Sequence, residues 1–308
     1  MALTILEAAK LNKGDVYKSG IIELYAGSSS ILLNLPFQDI QGNALKYNRE
    51  ATMPGVGFRG VNEGYTPSTG VLNPLTEVLV IAGGELDVDA FIIKTMGAAQ
   101  RSVQEAMKVR ALSLAWTRKF FKGDSTTEPR EFDGLQARVT GSQLISAGST
   151  AGGAALSLAK LDEAIDQTLN PTHLVMSKDM ARKFIAAART SAVSGFITYD
   201  KDQMGRPIAM YAGLPIITVD LDNAGLPILG FDEAAVSGGA TATSIYVLSI
   251  GADALTGIQN GGIDVRDLGE LQTAPLYRTR VEWYNGLAVF NGRSVTRLRH
   301  IGNLAIVA

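Results

Sequence analysis

The sequence contains no cysteine. Disulfides, thiol nucleophiles and thiolate metal sites are therefore excluded. Histidine is nearly absent as well, since only His173 and His300 occur, and neither has a partner residue at the spacing of a zinc site. His173 lies in the apolar segment THLVM, which predicts a core strand and a satisfied buried imidazole, whereas we expect His300 at the surface. We therefore predict no catalytic residue, no metal site and no cofactor.

An excess of charge, a long apolar run and a secretory signal are also missing. The 28 basic and 30 acidic side chains give a formal charge of −2, which removes the main sequence argument for tight nucleic-acid binding. No apolar run approaches the roughly 18 to 20 residues of a membrane span, and the first residues lack the pattern of a signal peptide. With 308 residues, of which 46% are hydrophobic, the chain can form a sizeable core. We expect a cytoplasmic product that does not bind membranes.

Catalytic motifs are absent or stand in the wrong context. The segment GVGFRG, with Gly55, Gly57 and Gly60, matches the glycine pattern of dinucleotide-binding sites. That chemistry requires a strand before the glycines and a helix after them, because the helix N-terminus receives the pyrophosphate. Here Pro54 precedes the pattern and VNEGYTPSTG follows it, which excludes such a helix. The sequence also has no G-x-S-x-G nucleophile elbow and no G-x-x-x-x-G-K-[ST] phosphate loop.

A proline-free stretch predicts one long helix over residues 90–122, about 48 Å long at 1.5 Å per residue. Asp89 is the expected N-cap, and Gly123 is the expected residue after the C-terminus. Two apolar strips on this helix need cover: Ile92, Met96, Ala99, Val103, Ala106, Met107, Leu114 and Phe121 form the first, and Val109, Leu112, Trp116 and Phe120 the second. The remaining face is polar and mostly basic, with Arg101, Glu105, Lys108, Lys119 and Lys122. A helix of this length, laid across a domain like a beam, is more typical of a structural role than of a catalytic one.

Residues 44–88 predict an extended hairpin. Two strand-like flanks, ALKYNREAT and LTEVLVIAGGELDVD, enclose residues 53–74, which hold five glycines, three prolines and almost nothing apolar to bury. Fixing about 22 residues costs on the order of 20 to 40 kcal/mol, at roughly 1 to 2 kcal/mol per residue. Either this loop is disordered, or contacts from outside the fold order it. The second alternative points to a partner.

The segment before the hairpin predicts short elements with little core of their own. Residues 4–11 and 15–25 predict two helices, and SSSILLNLPFQDI predicts a short strand that ends at Pro36. The segment is either an arm that lies on another element or an ordinary helical start of the domain.

After the long helix, the glycine-rich residues 141–155 are interpreted as a linker, and the following residues predict an α/β lobe. This lobe has helices over residues 157–170 and 177–189, a strand at THLVM, two strands around Gly213 and another strand over residues 244–250.

The C-terminal part is rich in strands. The segments IDVRDLGEL, LYRTRVEWYNGLAVF and SVTRLRHIG alternate charged and apolar residues, as half-exposed strands do. The alternation places Arg278 and Arg280 on one face and Trp283 on the other. Asn285-Gly286 and Asn291-Gly292 are turn or bulge signals.

The order of these parts, together with the segments FFKGDSTTEPREFDGL, YAGLPIITVD and YRTRVEWYNGLAVFNGRSVTRL, resembles the major capsid proteins of tailed bacteriophages. The resemblance implies an α+β chain with the Hong Kong 97-type capsid fold, which encapsulins share. It implies an N-terminal arm (1–43), an extended E-loop (44–88), a P domain (89–155) with the spine helix over 90–122, an A domain (156–255) and a return to the P domain in the C-terminal strands (256–308).

The resemblance also implies a function without an active site. Pentamers and hexamers of one subunit would form an icosahedral shell that encloses the phage genome, as a virion capsid assembled in the host cytoplasm. Contacts between subunits would use Arg59, Glu63 and Tyr65 of the E-loop and the polar residues of the spine helix named above. The expected partners are a scaffolding protein, a portal, a decoration protein in some particles, and double-stranded DNA contacted without sequence specificity. The alternatives are an encapsulin-like compartment shell and, from another class, a small-molecule enzyme or binding domain in the α/β lobe.

Two features of some family members are expected to be absent. About 40 residues precede the hairpin instead of a scaffolding segment of about a hundred, so the resemblance predicts a separate scaffolding protein. No lysine occurs between Tyr47 and Ile93. We therefore predict no covalent crosslink from the hairpin to a neighbouring subunit.

Overall fold

The computed structural model describes residues 29–96, 99–189, 197–201 and 207–307, and the structural statements below refer to these residues. The helices and strands in chain order are α1 Ser30–Asn34, β1 Phe37–Asp39, β2 Ala44–Thr52, β3 Val71–Val78, β4 Val80–Asp89, α2 Ala90–Met96, α3 Ala99–Lys122, α4 Leu135–Arg138, β5 Leu144–Ser146, α5 Leu158–Gln167, β6 His173–Ser177, α6 Lys178–Ala187, β7 Ile197–Lys201, β8 Pro207–Tyr211, β9 Leu214–Val219, β10 Ala242–Leu248, β11 Leu255–Glu270, β12 Leu276–Val289 and β13 Val295–Gly302. A mixed α+β chain was predicted, and this prediction is confirmed.

The first described segment contains a helix where a strand was predicted. Ser29 caps the single-turn helix α1, since its hydroxyl accepts from the backbone N–H of Leu32 at 3.5 Å. The turn buries Ile31 and Leu32 completely, and Pro36 ends it before β1 begins. The prediction of a strand that ends at Pro36 is therefore wrong, because a short apolar run fits either element and the serine cap decides between them. The two helices predicted within residues 4–25 lie outside the described residues.

A four-stranded sheet in the order β1-β11-β12-β4 forms one layer of the fold. The antiparallel strands β11 and β12 pair over almost their whole length, and β4 pairs with β12. The predicted alternation on β12 is confirmed: Val281 and Trp283 are buried, and Arg278 and Arg280 face acidic side chains of β4.

The Asn285-Gly286 pair does not form a turn. Strand β12 continues through both residues, and Asn285 is completely buried. Its side-chain oxygen accepts from the indole N–H of Trp116 at 3.0 Å, so the asparagine supplies a hydrogen bond inside the core. A Cβ on Gly286 would come within 3.0 Å of the side chain of Ile258. A turn is therefore absent here, whereas the alternative of a bulge fits, because the β11–β12 pairing shifts its register between Gln259 and Ile263, opposite Asn285 and Trp283. The second signal, at residues 291–292, marks the turn after β12.

The spine helix is described as α2 and α3, and residues 97 and 98 between them lie outside the described residues. The predicted second apolar strip is confirmed, because Val109, Trp116 and Phe120 are buried. The predicted first strip is covered only in part: Val103 and Met107 keep exposed fractions of 52% and 61%. Part of this strip therefore has no cover within the described chain.

A second sheet has seven strands in the order β5-β13-β10-β6-β9-β8-β7. The predicted helices and strands of the α/β lobe appear here, including the cap on α6, where the Ser177 hydroxyl accepts from the backbone N–H of Met180 at 3.2 Å. The predicted linker contains β5, which pairs in parallel with β13 at one edge of this sheet. Strand β13 lies in this sheet rather than beside β11 and β12, with which the sequence grouped it.

One hydrophobic core connects the two sheets through the spine helix. On one side, Trp116 contacts Trp283, with ring centroids 5.7 Å apart. On the other side, Phe121 contacts Tyr246 of β10, with ring centroids 5.2 Å apart. The helix therefore acts as the predicted beam, packed between both sheets.

Strands β2 and β3 form a separate two-stranded sheet, in which Ala44 faces Val78 and Glu50 faces Leu72. Residues 53–70, between the two strands, contain neither a helix nor a strand. The extended hairpin predicted from the sequence is therefore present, but it ends at Val78 and not at residue 88, because β4 pairs with β12 in the four-stranded sheet of the body. The hairpin leaves the body of the fold at residues 43 and 79, where the N–H of Leu79 donates to the carbonyl of Asn43 at 2.9 Å.

Candidate interaction surfaces

The hairpin tip, defined here as residues 53–70, is exposed throughout. Short local contacts shape it. The Glu63 carboxylate accepts from the backbone N–H of Gly60 at 2.8 Å, and Arg59 donates to the Glu63 carbonyl at 3.2 Å. The Arg59 guanidinium also lies 5.2 Å from the ring centroid of Tyr65. The structure thus brings the three predicted contact residues of the hairpin together in one cluster.

Sequence reasoning missed the apolar residues of this tip. Val56, Phe58 and Val61 are almost fully exposed, and Met53 is exposed as well. The expectation of almost nothing apolar in the loop is therefore wrong. Burying one such side chain stabilises a contact by about 1.5 to 3 kcal/mol. The signal was available in the sequence, since these side chains stand among glycines that cannot cover them.

The hairpin base is tied to the body by polar side chains. The Tyr47 hydroxyl lies 3.1 Å from the carbonyl of Val289 and 3.2 Å from the Glu77 carboxylate and shares its single proton between these two acceptors, and Arg49 donates to the same carbonyl. Arg138, at the end of α4, forms two hydrogen bonds with the Glu77 carboxylate, at 2.5 and 2.7 Å. Burial raises the pKa of the Tyr47 hydroxyl, and the charge of Glu77 raises it further. The phenol therefore stays neutral and can donate.

Two predicted contact residues of the spine helix are engaged inside the chain. Glu105 is only 5% exposed, and it accepts from Arg101 at 3.1 Å and from the Thr279 hydroxyl at 2.7 Å. Arg101 also pairs with Asp267 at 2.7 Å, and its positive charge lowers the pKa of that carboxyl through their hydrogen bond. These residues hold α3 against the β11–β12 ribbon.

The three lysines of the same face differ in their surroundings. Lys119 pairs with Glu131, and Lys122 pairs with Asp232 at 2.8 Å. Lys108 lies over Gly84 of β4 and forms no ion pair with any described residue. No contact with another subunit is part of the structure, so an interface role for Arg101, Glu105, Lys108, Lys119 and Lys122 stays a prediction.

The described residues do not assemble a metal centre. Over ranges 29–96, 99–189, 197–201 and 207–307, no group of three histidine, aspartate or glutamate side chains could hold a metal ion. In the same ranges, no helix has both the length and the apolar character needed to cross a membrane. Gly55, Gly57 and Gly60 lie in the exposed hairpin tip, where no helix follows them.

The two histidines have structural surroundings. His173 stands at the start of β6, partly buried, with its ring nitrogen 2.9 Å from the Thr172 hydroxyl. His300 is only 6% exposed, so its predicted position at the surface is wrong. It lies in β13, with Nδ1 at 2.9 Å from the Ser146 hydroxyl of the neighbouring strand β5. Burial lowers the pKa of both imidazoles, and Arg299 and Arg297 lower that of His300 further.

Comparison with known proteins finds a match to one family model and similarity to solved structures that share this fold. The family model described as major capsid protein GP7 matches residues 13–159, slightly less than half of the chain. No curated protein sequence matches the chain. The matched part includes the hairpin, the spine helix and β5.

Solved structures match over almost the whole chain. The SrpI encapsulin complex of Synechococcus elongatus PCC 7942 is 16% identical, with a TM-score of 0.63, over 90% of this chain and 89% of that chain. The capsid of a native GTA particle is 14% identical, with a TM-score of 0.61, over 89% of this chain and 90% of that chain. The structure from Microbacterium phage Oxtober96 is 12% identical, with a TM-score of 0.60, over 89% and 91% of the two chains. At these identities the similarity shows the fold, and the predicted capsid fold is confirmed.

Proposed function

We propose that this chain, a tailed-phage type of major capsid protein by its family match and its fold, assembles as pentamers and hexamers into an icosahedral shell that encloses a phage genome. The observation that carries the proposal is the hairpin tip, which extends from the fold and exposes apolar side chains to solvent. Identical subunits whose unlike surfaces meet form rings where the rotation between neighbours closes, and rings with suitable curvature form shells.

The hairpin tip is the first contact of this assembly. Val56, Phe58 and Val61 together would contribute about 5 to 9 kcal/mol if a neighbouring subunit buried them fully, at about 1.5 to 3 kcal/mol for each side chain. Arg59, Glu63 and Tyr65 surround them and would supply polar contacts at the rim. The tip contributes no side chain to the core of its own subunit. Contact with a neighbouring subunit would explain both its defined conformation and its exposed apolar side chains.

The spine helix is the second contact. Lys108 lacks an ion pair among the described side chains, and Lys119 remains partly exposed beside Glu131. Arg101, Glu105 and Lys122 act mainly inside the subunit, where they fix the surface that the neighbour meets. The domain boundaries given by the resemblance belong to the same proposal, with the E-loop ending at Val78, β4 belonging to the P domain and β13 joining the sheet of the α/β lobe.

The wider setting follows from the family. A scaffolding protein, a portal and, in some particles, a decoration protein would act with the subunit, and double-stranded DNA would contact the inner wall without sequence specificity. The charge of −2 suits a wall that contains DNA without binding it tightly. The chain would assemble in the host cytoplasm, become part of the virion and have no enzymatic activity of its own.

An encapsulin-like shell is the second candidate, because the SrpI encapsulin complex shares the fold over 90% of this chain. Electron microscopy of the protein purified from its native source separates the two. Closed shells with DNA support the capsid, and closed shells with copurified enzymes support the compartment. Monomers alone, with any scaffold supplied, would refute both.

Deletion of the tip tests the assigned contact. A variant without residues 55–69 should retain the folded subunit, because these residues are exposed, and should lose the shells. Normal shells from this variant would refute the role of the tip.

A further inference from the structure

Four polar side chains stand where the hairpin meets the body: Tyr47 and Arg49 on β2, Glu77 on β3 and Arg138 on α4. We call them the hairpin latch. The Glu77 and Arg138 side chains are only 15% and 16% exposed, and their two parallel hydrogen bonds are of the strong, charge-assisted kind. The latch therefore fixes the direction of one group relative to the other, as well as their distance.

Arg138 is itself held in place. Its Nε donates to the carbonyl of Asp133 at 2.6 Å, so the guanidinium is fixed to the loop that follows the spine helix. The anchor of the latch thus belongs to the rigid body, and Glu77 belongs to the hairpin. A pair across this joint resists rotation of the hairpin rather than unfolding of the core.

Besides the latch, apolar contacts join the hairpin base to the body, including the Tyr47 ring, whose centroid lies 4.9 Å from that of Phe290. A small apolar cluster at the joint brings Leu45 and Leu79 of the hairpin base against Ile40, Ile258 and Phe290. Farther out, the strands are exposed, with Val71 and Leu72 more than half exposed. The latch therefore lies between the apolar cluster at the hairpin base and the exposed outer part of the hairpin.

Open space borders the latch on both sides. Clefts of about 620 and 430 Å³ are each lined by both Glu77 and Arg138. In addition, the Nε of Arg49 is buried without a hydrogen-bond partner among the described residues, so the closed latch does not satisfy all its donors. The clefts leave room for the latch side chains to separate, and the Arg49 Nε would then gain a hydrogen bond to water. Both reduce the free energy needed to break the contacts of the latch.

We propose that the hairpin latch sets the direction in which the hairpin leaves the subunit, and thereby the curvature of the shell. The inference rests on the proposed function. Nine strand residues at about 3.3 Å each put the end of β2 about 30 Å from the joint, so a rotation of about 10° displaces it by about 5 Å. A displacement of this size changes which neighbouring side chains the tip can reach.

Spin labels measure the direction of the hairpin directly, because the chain has no cysteine of its own. Thr66→Cys in the tip and Glu163→Cys on α5 would carry the labels, diluted with unlabelled chain so that only distances within one subunit are recorded. We expect the distance distribution to widen at least twofold in Glu77→Gln and in Arg138→Met. Arg138→Lys should widen it less, since the charge remains but the parallel pair does not. Asp179→Asn, which breaks an exposed ion pair on α6, is the matched control and should leave the width unchanged.

The milder variant Tyr47→Phe guards against loss of folding, because it removes one hydroxyl and leaves the ion pair intact; some widening is expected here too. Unchanged widths in Glu77→Gln and Tyr47→Phe would overturn the latch. In the unlabelled variants, electron microscopy should show shells of several diameters or open sheets, whereas the wild-type protein should form shells of one diameter. Widened distances with unchanged diameters would overturn the link to curvature. If the unvaried chain forms no shells, the proposed function fails, while the labels still decide on the latch.

Discussion

The Phe58→Ser substitution separates the stability of the subunit from the stability of the shell. Phe58 is fully exposed in the hairpin tip, so its removal takes no apolar area from the core. The free energy of subunit unfolding should therefore change by less than about 0.5 kcal/mol, as for surface substitutions generally. Urea denaturation of unassembled subunits checks this, with an unchanged midpoint and slope expected.

Assembly should respond very differently. Burial of the phenyl ring against a neighbour is worth about 2 kcal/mol, within the range for a large apolar side chain. Each subunit has one hairpin tip, so the substitution makes assembly less favourable by about this amount per subunit. The threshold concentration for shells, measured by light scattering, should rise about 30-fold, because each 1.4 kcal/mol corresponds to a factor of ten.

A matched variant shows whether the effect belongs to the hairpin. Tyr199→Ser removes another exposed aromatic ring, from β7 of the seven-stranded sheet. If it raises the threshold as much as Phe58→Ser does, general loss of apolar surface is responsible. A threshold in Phe58→Ser that equals that of the unvaried chain would refute the buried-tip contact itself.

Three further results are expected. Gly257→Ala should lower the free energy of unfolding by about 1 to 3 kcal/mol in urea titration, since a Cβ there would come within 2.3 Å of the Phe37 ring in the core; an unchanged midpoint would contradict this packing. Burial lowers the pKa of His300 in the folded state, so the free energy of unfolding should keep its full value above the unfolded pKa of about 6.5 and fall as the pH drops from there towards the folded pKa. His300→Asn should reduce this loss of stability at low pH. An equal pH dependence of stability in the variant would count against this role of His300. Mature particles boiled in detergent should run as single chains of 32.6 kDa, because the hairpin carries no lysine in residues 48–93, and a ladder of larger bands would show a crosslink.

Elements with a strong local pattern could be predicted from the sequence. The spine helix follows from a long proline-free stretch, and the β11–β12 ribbon follows from alternating charged and apolar residues. The helix α6 follows from Ser177 and the residues after it. In each case the side chains that specify the element lie within the element itself.

Three of the errors share one physical cause, which is contact between distant residues. Asn285-Gly286 looks like a turn, but Trp116 supplies a hydrogen-bond partner 169 residues away that keeps the asparagine in a buried strand. His300 looks exposed among charged residues, but β5 covers its ring. Strand β13 pairs with β10 and β5 rather than with the strand before it, and no local pattern distinguishes these partners.

The contact surface of the spine helix is narrower than its basic sequence indicates. Arg101 holds Glu105 and Asp267, so a charge reversal at Arg101 would damage the attachment of the helix before it affected any neighbour. Lys108 has no such pair among the described residues, and an exposed ion pair with a neighbour would contribute about 0 to 1 kcal/mol. Lys108→Glu should therefore leave the urea midpoint unchanged and alter only the salt dependence of the assembly threshold, whereas Arg101→Glu should lower the midpoint. If Lys108→Glu leaves the salt dependence unchanged, this face is solvated in the shell.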